Sequence, residues 1–320
     1  MMPRFLRSIF DLLKQTASEW IDQDVSSLGA ALAFYTLFAI APLFVIVLGV
    51  AGLWFGEEAA RRELFSQVSG LVGSAGGVAI QALVSAALKP KTGAWTSVVA
   101  VATFFVGATG VFVQLQDALN SVWGVRRRPG RGVRNFIKAR LLSFALLAGI
   151  GFLLLVSLIL DAGLSGLGKF MFGSTPAQET LWQGVNFMVS FGVITLLFAM
   201  LFKVLPDAKI AWRDVWIGAI ITALLFNLGK LLFGLYLGRS SVTSSYGAAG
   251  SLVVVLLWVY YSAQILLFGA QFTQIYSNRY GSHIEPSASA EVVAPKEVAV
   301  QQRRPPERKA NEPLMTPGRL

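Results

Sequence analysis

Six apolar runs, each close to the length that crosses a lipid bilayer, dominate this chain of 320 residues. A hydrocarbon core about 30 Å thick takes about 20 apolar residues of helix to span. The runs fall near Ala30–Trp54, Trp95–Leu115, Leu141–Leu160, Gln183–Phe202, Val215–Leu237 and Ala248–Phe272. Backbone inside lipid must satisfy its own N–H and C=O groups, which leaves helices or closed barrels, and these runs lack the two-residue alternation of barrel strands. The sequence therefore predicts an all-α polytopic membrane bundle with six transmembrane helices.

Lys and Arg in short loops tend to remain cytoplasmic, so their placement orients the bundle. With the N-terminus inside, the inner segments hold 20 of the 27 basic residues. The outer loops hold only Arg61, Arg62, Lys89, Lys91, Lys169 and Arg239, and Lys230 lies within the fifth run. Both termini are expected in the cytoplasm, and the formal charge of +10 reads first as a topology signal. The cytoplasmic basic cluster Arg126, Arg127, Arg128 and Arg131, just beyond the second run, also suits anionic lipid headgroups. No RNA-binding motif accompanies it, so no nucleic-acid partner is expected.

The chain has no Cys, and its single His, His283, lies in the polar tail. Thiolate metal sites and cysteine nucleophiles are excluded, and a zinc or binuclear hydrolase site lacks its usual ligands. No acidic pair lies inside a span. The expectation is a protein that is not an enzyme and that carries no metal and no cofactor.

Three domains follow. Residues 1–29 read as an amphipathic helix on the cytoplasmic leaflet, with Phe5, Leu6, Ile9, Leu12, Leu13, Thr16 and Trp20 near one face. Residues 30–280 form the six-span domain. It includes two short interfacial helices near 57–90, joined by the glycine-rich hinge S69-G-L-V-G-S-A-G-G77. Residues 281–320, with six prolines, read as a disordered cytoplasmic tail.

Polar residues within apolar spans are the places to seek function. Lys230 in F226-N-L-G-K230 is either a stem that snorkels to the outer surface or a cavity-facing cation for an anionic group, with Asn227 nearly on the same face. Tyr260, Gln264 and Gln271 share one stripe of the sixth span, which turns that stripe inward for helix-to-helix hydrogen bonding or for a transport path. Tyr35 lies close to Pro42, a hinge candidate expected to kink the first span near Phe38. Gln114, Asp117 and Asn120 read as a helix end that pairs with the arginines after it. The G234-L-Y-L-G238 spacing permits close helix packing and a homo-oligomer.

The strings A30-A-L-A-F-Y-T-L-F-A-I-A-P-L-F44, V111-F-V-Q-L-Q-D-A-L-N-S-V-W-G124, L205-P-D-A208 and Y246-G-A-A-G-S251, with the following L-W-V-Y-Y-S-A-Q264, resemble the YihY/BrkB-type bacterial inner-membrane proteins. The resemblance covers roughly Phe10–Tyr280 and implies six spans with both termini inside. Family members have been labelled virulence factors and, formerly, ribonuclease BN. The lack of Cys and near lack of His argue against carrying the nuclease label over.

The resulting expectation is a multi-pass protein of the bacterial inner membrane, surrounded by membrane lipids. It would act as a transporter or flippase-like protein for an amphipathic or anionic solute. Tyr35, Asn227, Lys230, Tyr260 and Gln264 are the substrate-path candidates. The alternative is a non-transporting assembly or scaffold protein, and a membrane enzyme or ribonuclease is the weakest reading. No Walker A string is present, so pumping would draw on an ion gradient or a partner.

Overall fold

A computed structural model describes residues 4–88, 110–128, 176–239, 250–287 and 290–292. Seven helices occupy these stretches: α1 Arg4–Asp22, α2 Val25–Phe55, α3 Glu57–Leu88, α4 over residues 110–122, α5 Pro176–Val204, α6 Trp212–Arg239 and α7 Gly250–Tyr280. Four short strands accompany them: β1 Val125–Arg127, β2 Ala208–Lys209, β3 Glu285–Pro286 and β4 Ala290–Val292.

Among the described residues, three helices are long and apolar enough to cross a membrane, through Phe187–Val204, Trp212–Tyr236 and Leu252–Tyr280. A fourth crossing arises if the bent pair Phe10–Asp22 and Val25–Ile40 counts as one span. The spans expected at Leu141–Leu160 and over residues 95–109 lie outside the described residues.

The first crossing differs from expectation. Its helix begins at Val25 rather than Ala30, and the chain turns by 69° between α1 and α2. Asp24 makes the turn in the left-handed region, at φ 49° and ψ 42°, a conformation that Asp tolerates better than most residues. Pro42 lies inside α2, which continues as one helix on either side of it. The observed break is at Gln23–Asp24. A proline can be carried within a membrane helix when local adjustments re-satisfy the freed backbone groups.

The amphipathic character read for the N-terminus has a specific partner. Leu12 of α1 is buried with Phe272 and Ile275 of α7, beside Ile217, Ile221 and Tyr276. Helix α1 therefore lies against the end of α7, and Phe10 and Ile21 remain exposed.

Helix α3 doubles back on itself at the glycine-rich string. Eight residues of straight helix extend about 12 Å, yet a Cβ on Gly77 would lie 3.3 Å from the Ser69 Cα. The two arms pack inward, with Phe65, Val68, Ile80 and Val84 buried against Ile40 and Leu48 of α2 and Val255 and Trp258 of α7. Phe44 and Phe65 stack with centroids 6.4 Å apart.

Helices α6 and α7 run antiparallel through interlocked small residues. A Cβ on Gly218 would come within 2.7 Å of the Thr273 Cβ, and one on Gly269 within 2.8 Å of the Thr222 Cβ. The Thr222 and Thr273 hydroxyls donate back to the Gly218 and Gly269 carbonyls of their own helices. The backbones thereby approach without leaving a polar group bare. This close approach uses Gly218, Gly229 and Gly269, whereas Gly234 has open space beside it.

The segment after Tyr280 begins in ordered form, contrary to the expected disordered tail at 281–320. Strand β3 pairs antiparallel with β2, and β4 pairs antiparallel with β1. Ala290 is buried in the main core. Pairing with two preformed loop strands satisfies backbone groups that an isolated segment of this composition would leave to water. Residues 293–320 lie outside the described residues.

Candidate functional site: the α1–α2 elbow

The first half of α2 faces α7 through a glycine. A Cβ on Gly29 would lie 3.0 Å from the Gln264 Cδ, so this position holds the amide of Gln264 close to the α2 backbone. The Gln264 Nε2 donates to the Ser26 carbonyl at 3.1 Å, and its Oε1 is buried with no hydrogen-bond partner. Two turns further along α7, Gln271 is fully buried. Its Nε2 donates to Glu19 Oε2 at 3.0 Å and to Gln274 Oε1 at 3.4 Å, and its Oε1 is also unpartnered. The α1–α2 elbow is thus strapped to α7 by two amides, each with one unmatched acceptor.

The elbow itself is acidic. Glu19 accepts from Gln15 as well as Gln271, Asp22 accepts from the Ser18 hydroxyl at 3.5 Å, and Asp24 accepts from Ser26 at 3.1 Å. Helix α1 has no basic residue in its last turn, and Asp24 makes no side-chain cap on α2. The indole Nε1 of Trp20 is buried without an acceptor. Sequence reading identified Gln264 and Gln271 by their shared stripe but missed Glu19 and the break. The only local signal was the acidic, glycine-poor string W20-I-D-Q-D24 between two helical patterns.

The remaining site candidates are dispersed. The Tyr35 ring packs over Gly110 of α4, whose Cβ would lie 2.8 Å from the Tyr35 Cδ1, and meets Phe34 edge-on at 5.9 Å. Tyr260 is half-buried in α7, while its neighbour Tyr261 takes the contact with α6, against Gly229 and Phe233. Asn227 turns its amide back to the Ala223 carbonyl at 2.8 Å. Lys230 is exposed among Leu228, Leu231 and Leu232, on the outward face of α6. The structure brings Gln264 to the elbow and leaves Asn227 and Lys230 apart from it.

A second polar centre ties α4 to the loop between α5 and α6. Asn120 of α4 donates to Asp207 Oδ2 at 2.9 Å, and Asp207 N–H donates to Asn120 Oδ1 at 2.8 Å. Gln116 donates to the Leu205 carbonyl at 2.9 Å. The helix end expected to pair with the following arginines is therefore bonded through Gln116 and Asn120 to the loop between α5 and α6. Buried Asp214 accepts from Ser277 Oγ at 2.8 Å and from Ser282 N–H and Oγ at 3.1 and 3.0 Å.

In the basic cluster, Arg126 and Arg128 are exposed. Arg126 is in register with Glu291 of β4, Arg127 with Ala290, and Arg128 Nε lies 4.0 Å from Glu291 Oε2. Arg131 is outside the described residues. Among the described residues, no group of three or more His, Cys, Asp or Glu stands together as a metal site.

No solved structure matches this chain. A UPF0761 membrane protein of Pseudomonas aeruginosa is 31% identical over 264 residues, covering 79% of this chain and 60% of the relative. Homologues with the same UPF0761 name occur in Chromobacterium violaceum, 27% identical with 79% and 58% covered, and Mannheimia succiniciproducens, 27% identical with 77% and 82% covered. The chain thus spans about 60% of the length of the Pseudomonas relatives. The sequence profile of the family described as virulence factor BrkB matches residues 16–293, which takes in the elbow, the loop between α5 and α6 and both tail strands. The chain is a membrane protein and belongs to the virulence factor BrkB family.

Proposed function

We propose that this protein is a transporter or flippase-like carrier of the bacterial inner membrane for an amphipathic or anionic solute. In this reading it has six spans and cytoplasmic termini. The observation that carries it is the 69° elbow at Gln23–Asp24, which in this reading breaks the first crossing and is held against two glutamine amides whose Oε1 atoms are buried and unmatched. Discontinuous helices with polar groups at the break are a recurring way to build a solute or ion site inside a bundle. A continuous hydrophobic span would cross the bilayer without burying unmatched acceptors. The elbow supplies both polarity and a pivot. Exposed Lys230, set among leucines, can meet an anionic headgroup from the lipid side while apolar tails stay in the bilayer.

The test is native mass spectrometry of gently purified protein, comparing wild type with Gln264→Leu. A distinct amphipathic or anionic molecule held by wild type and lost in the variant supports the carrier. Bulk lipid alone, the same in both, favours a non-transporting scaffold. One observation speaks for that second reading: Asn227, Thr36 and Thr195 all return their polar groups to their own helices.

A further inference from the structure

We propose that α3 is a re-entrant helical hairpin. It enters the bilayer from the Phe55 end of α2, turns near the middle of the hydrocarbon and returns to the same face, with the exposed side of its tip against lipid acyl chains. The proposal goes beyond the carrier reading and stands without it.

The depth follows from what the two arms pack against. Phe65, eight residues into α3, stacks on Phe44, eleven residues back from the end of α2, at 6.4 Å. The first arm therefore runs back beside α2 to a level about 16 Å from Phe55. Phe65 and Val68 of this arm, with Ile80 and Val84 of the returning arm, are buried in one cluster with Trp258 of α7. Phe226 of α6 meets Trp258 edge-on at 5.9 Å. Trp258 and Phe226 each lie well inside a stretch apolar enough to cross the membrane, Leu252–Tyr280 and Trp212–Tyr236. The cluster that holds both arms is thus at membrane depth, whereas helices resting on the surface would meet only the ends of these spans.

Neither arm is long enough to cross. Glu57–Ser69 extends about 18 Å and Gly77–Leu88 about 17 Å, against a hydrocarbon core of about 30 Å. The approach of Gly77 to Ser69, where an added Cβ would lie 3.3 Å from the Ser69 Cα, brings the arms together just where they turn. The charges fall to match. Glu57, Glu58, Arg61, Arg62 and Glu63 occupy the first two turns, no Asp, Glu, Lys or Arg occurs from Leu64 to Leu88, and Lys89 and Lys91 follow. A hairpin lying in water could carry charge anywhere along its outer faces. One inserted from its base confines charge to that base, because a charge within hydrocarbon is costly. The exposed polar side chains Ser66 and Gln81 lie on the arms, and a serine hydroxyl can bond back to its own helix, as Thr36 and Thr195 do in α2 and α5. Val78, next to the turn, is 63% exposed and apolar. The protein leaves it uncovered, and at this depth its remaining neighbours are acyl chains.

The chain has no Cys, so single cysteines report depth without background. The experiment treats Glu58→Cys and Val78→Cys with a charged, membrane-impermeant maleimide in freeze–thawed membranes open on both faces, and again after denaturation in SDS. The expected result is rapid labelling of Glu58→Cys and labelling of Val78→Cys at least about tenfold slower, because hydrocarbon excludes both the reagent and the reactive thiolate. Denaturation should make the two equal. A straight helix would carry Val78 about 30 Å from Glu57, to the opposite surface, and a surface lid would leave it in water. Rapid labelling of Val78→Cys in membranes overturns the proposal in either case. A photoreactive benzoylphenylalanine in place of Val78 supplies the second measurement. Irradiated in membranes, it should add the mass of a phospholipid to the protein. Insertion into another part of the chain, with no lipid adduct, overturns the acyl-chain contact. Neither readout involves a solute, so the hairpin and the carrier reading fail separately.

Discussion

Asn120 and Asp207 bond reciprocally: the side chain of Asn120 both donates to the Asp207 carboxylate and accepts from the Asp207 backbone N–H, at 2.9 and 2.8 Å. The pair joins α4 to the loop between α5 and α6 across 87 positions of sequence. Two of the strings that carry the family resemblance, V111–G124 and L205–A208, meet at this point.

Asn120 is 5% exposed, so Asn120→Leu removes one of the donors to the Asp207 carboxylate, which keeps Gln116, and takes away the Asn120 acceptor of the Asp207 N–H. The expected cost is about 1–3 kcal/mol. Intrinsic tryptophan fluorescence during thermal unfolding measures it. Asn120→Asp should cost more, because it sets a second carboxylate against Asp207.

Gly218→Ala should destabilise the α6–α7 pair by about 1–3 kcal/mol, since the new methyl would overlap the Thr273 side chain, whose Cβ is 2.7 Å away. Thr273→Ala should recover much of that loss when combined with it. A double-mutant cycle in chemical denaturant checks the coupling, which additivity would disprove.

Lys230→Met should leave the melting temperature essentially unchanged. The lysine is exposed on the outward face of α6, and removing it unpairs no buried group. A drop of several degrees would show that its ammonium has a structural partner.

A chain ending at Ile284 loses β3 and β4. Hydrogen exchange should then rise at Val125–Arg127 and Ala208–Lys209, the strands these segments pair with. Protection at Phe198–Phe202, in the core of α5, should persist.

The helical spans were legible because each is a local property: a long apolar run has few structures open to it in lipid. Helices α5, α6 and α7 extend beyond the apolar runs that announced them by two to eight residues at each end, except at the start of α7, which opens two residues inside its run. The stripe containing Gln264 and Gln271 followed from helical periodicity alone.

The break at Asp24 was not legible, since no proline or glycine marks it and the left-handed Asp is stabilised by its setting. The partners of Gln116 and Asn120 were missed because Asp207 is close only in space. Lys230 looked central because sequence distance along a helix gives depth but not facing. The ordered segment after Tyr280 was hidden for a similar reason, as its two short strands exist only by pairing with loops folded elsewhere. The sequence by itself determined the membrane as solvent, the helical class and the polar exceptions, because hydrocarbon forces those outcomes residue by residue. Only the tertiary structure decided which exceptions meet, because a helix face acquires its meaning from the helix packed against it.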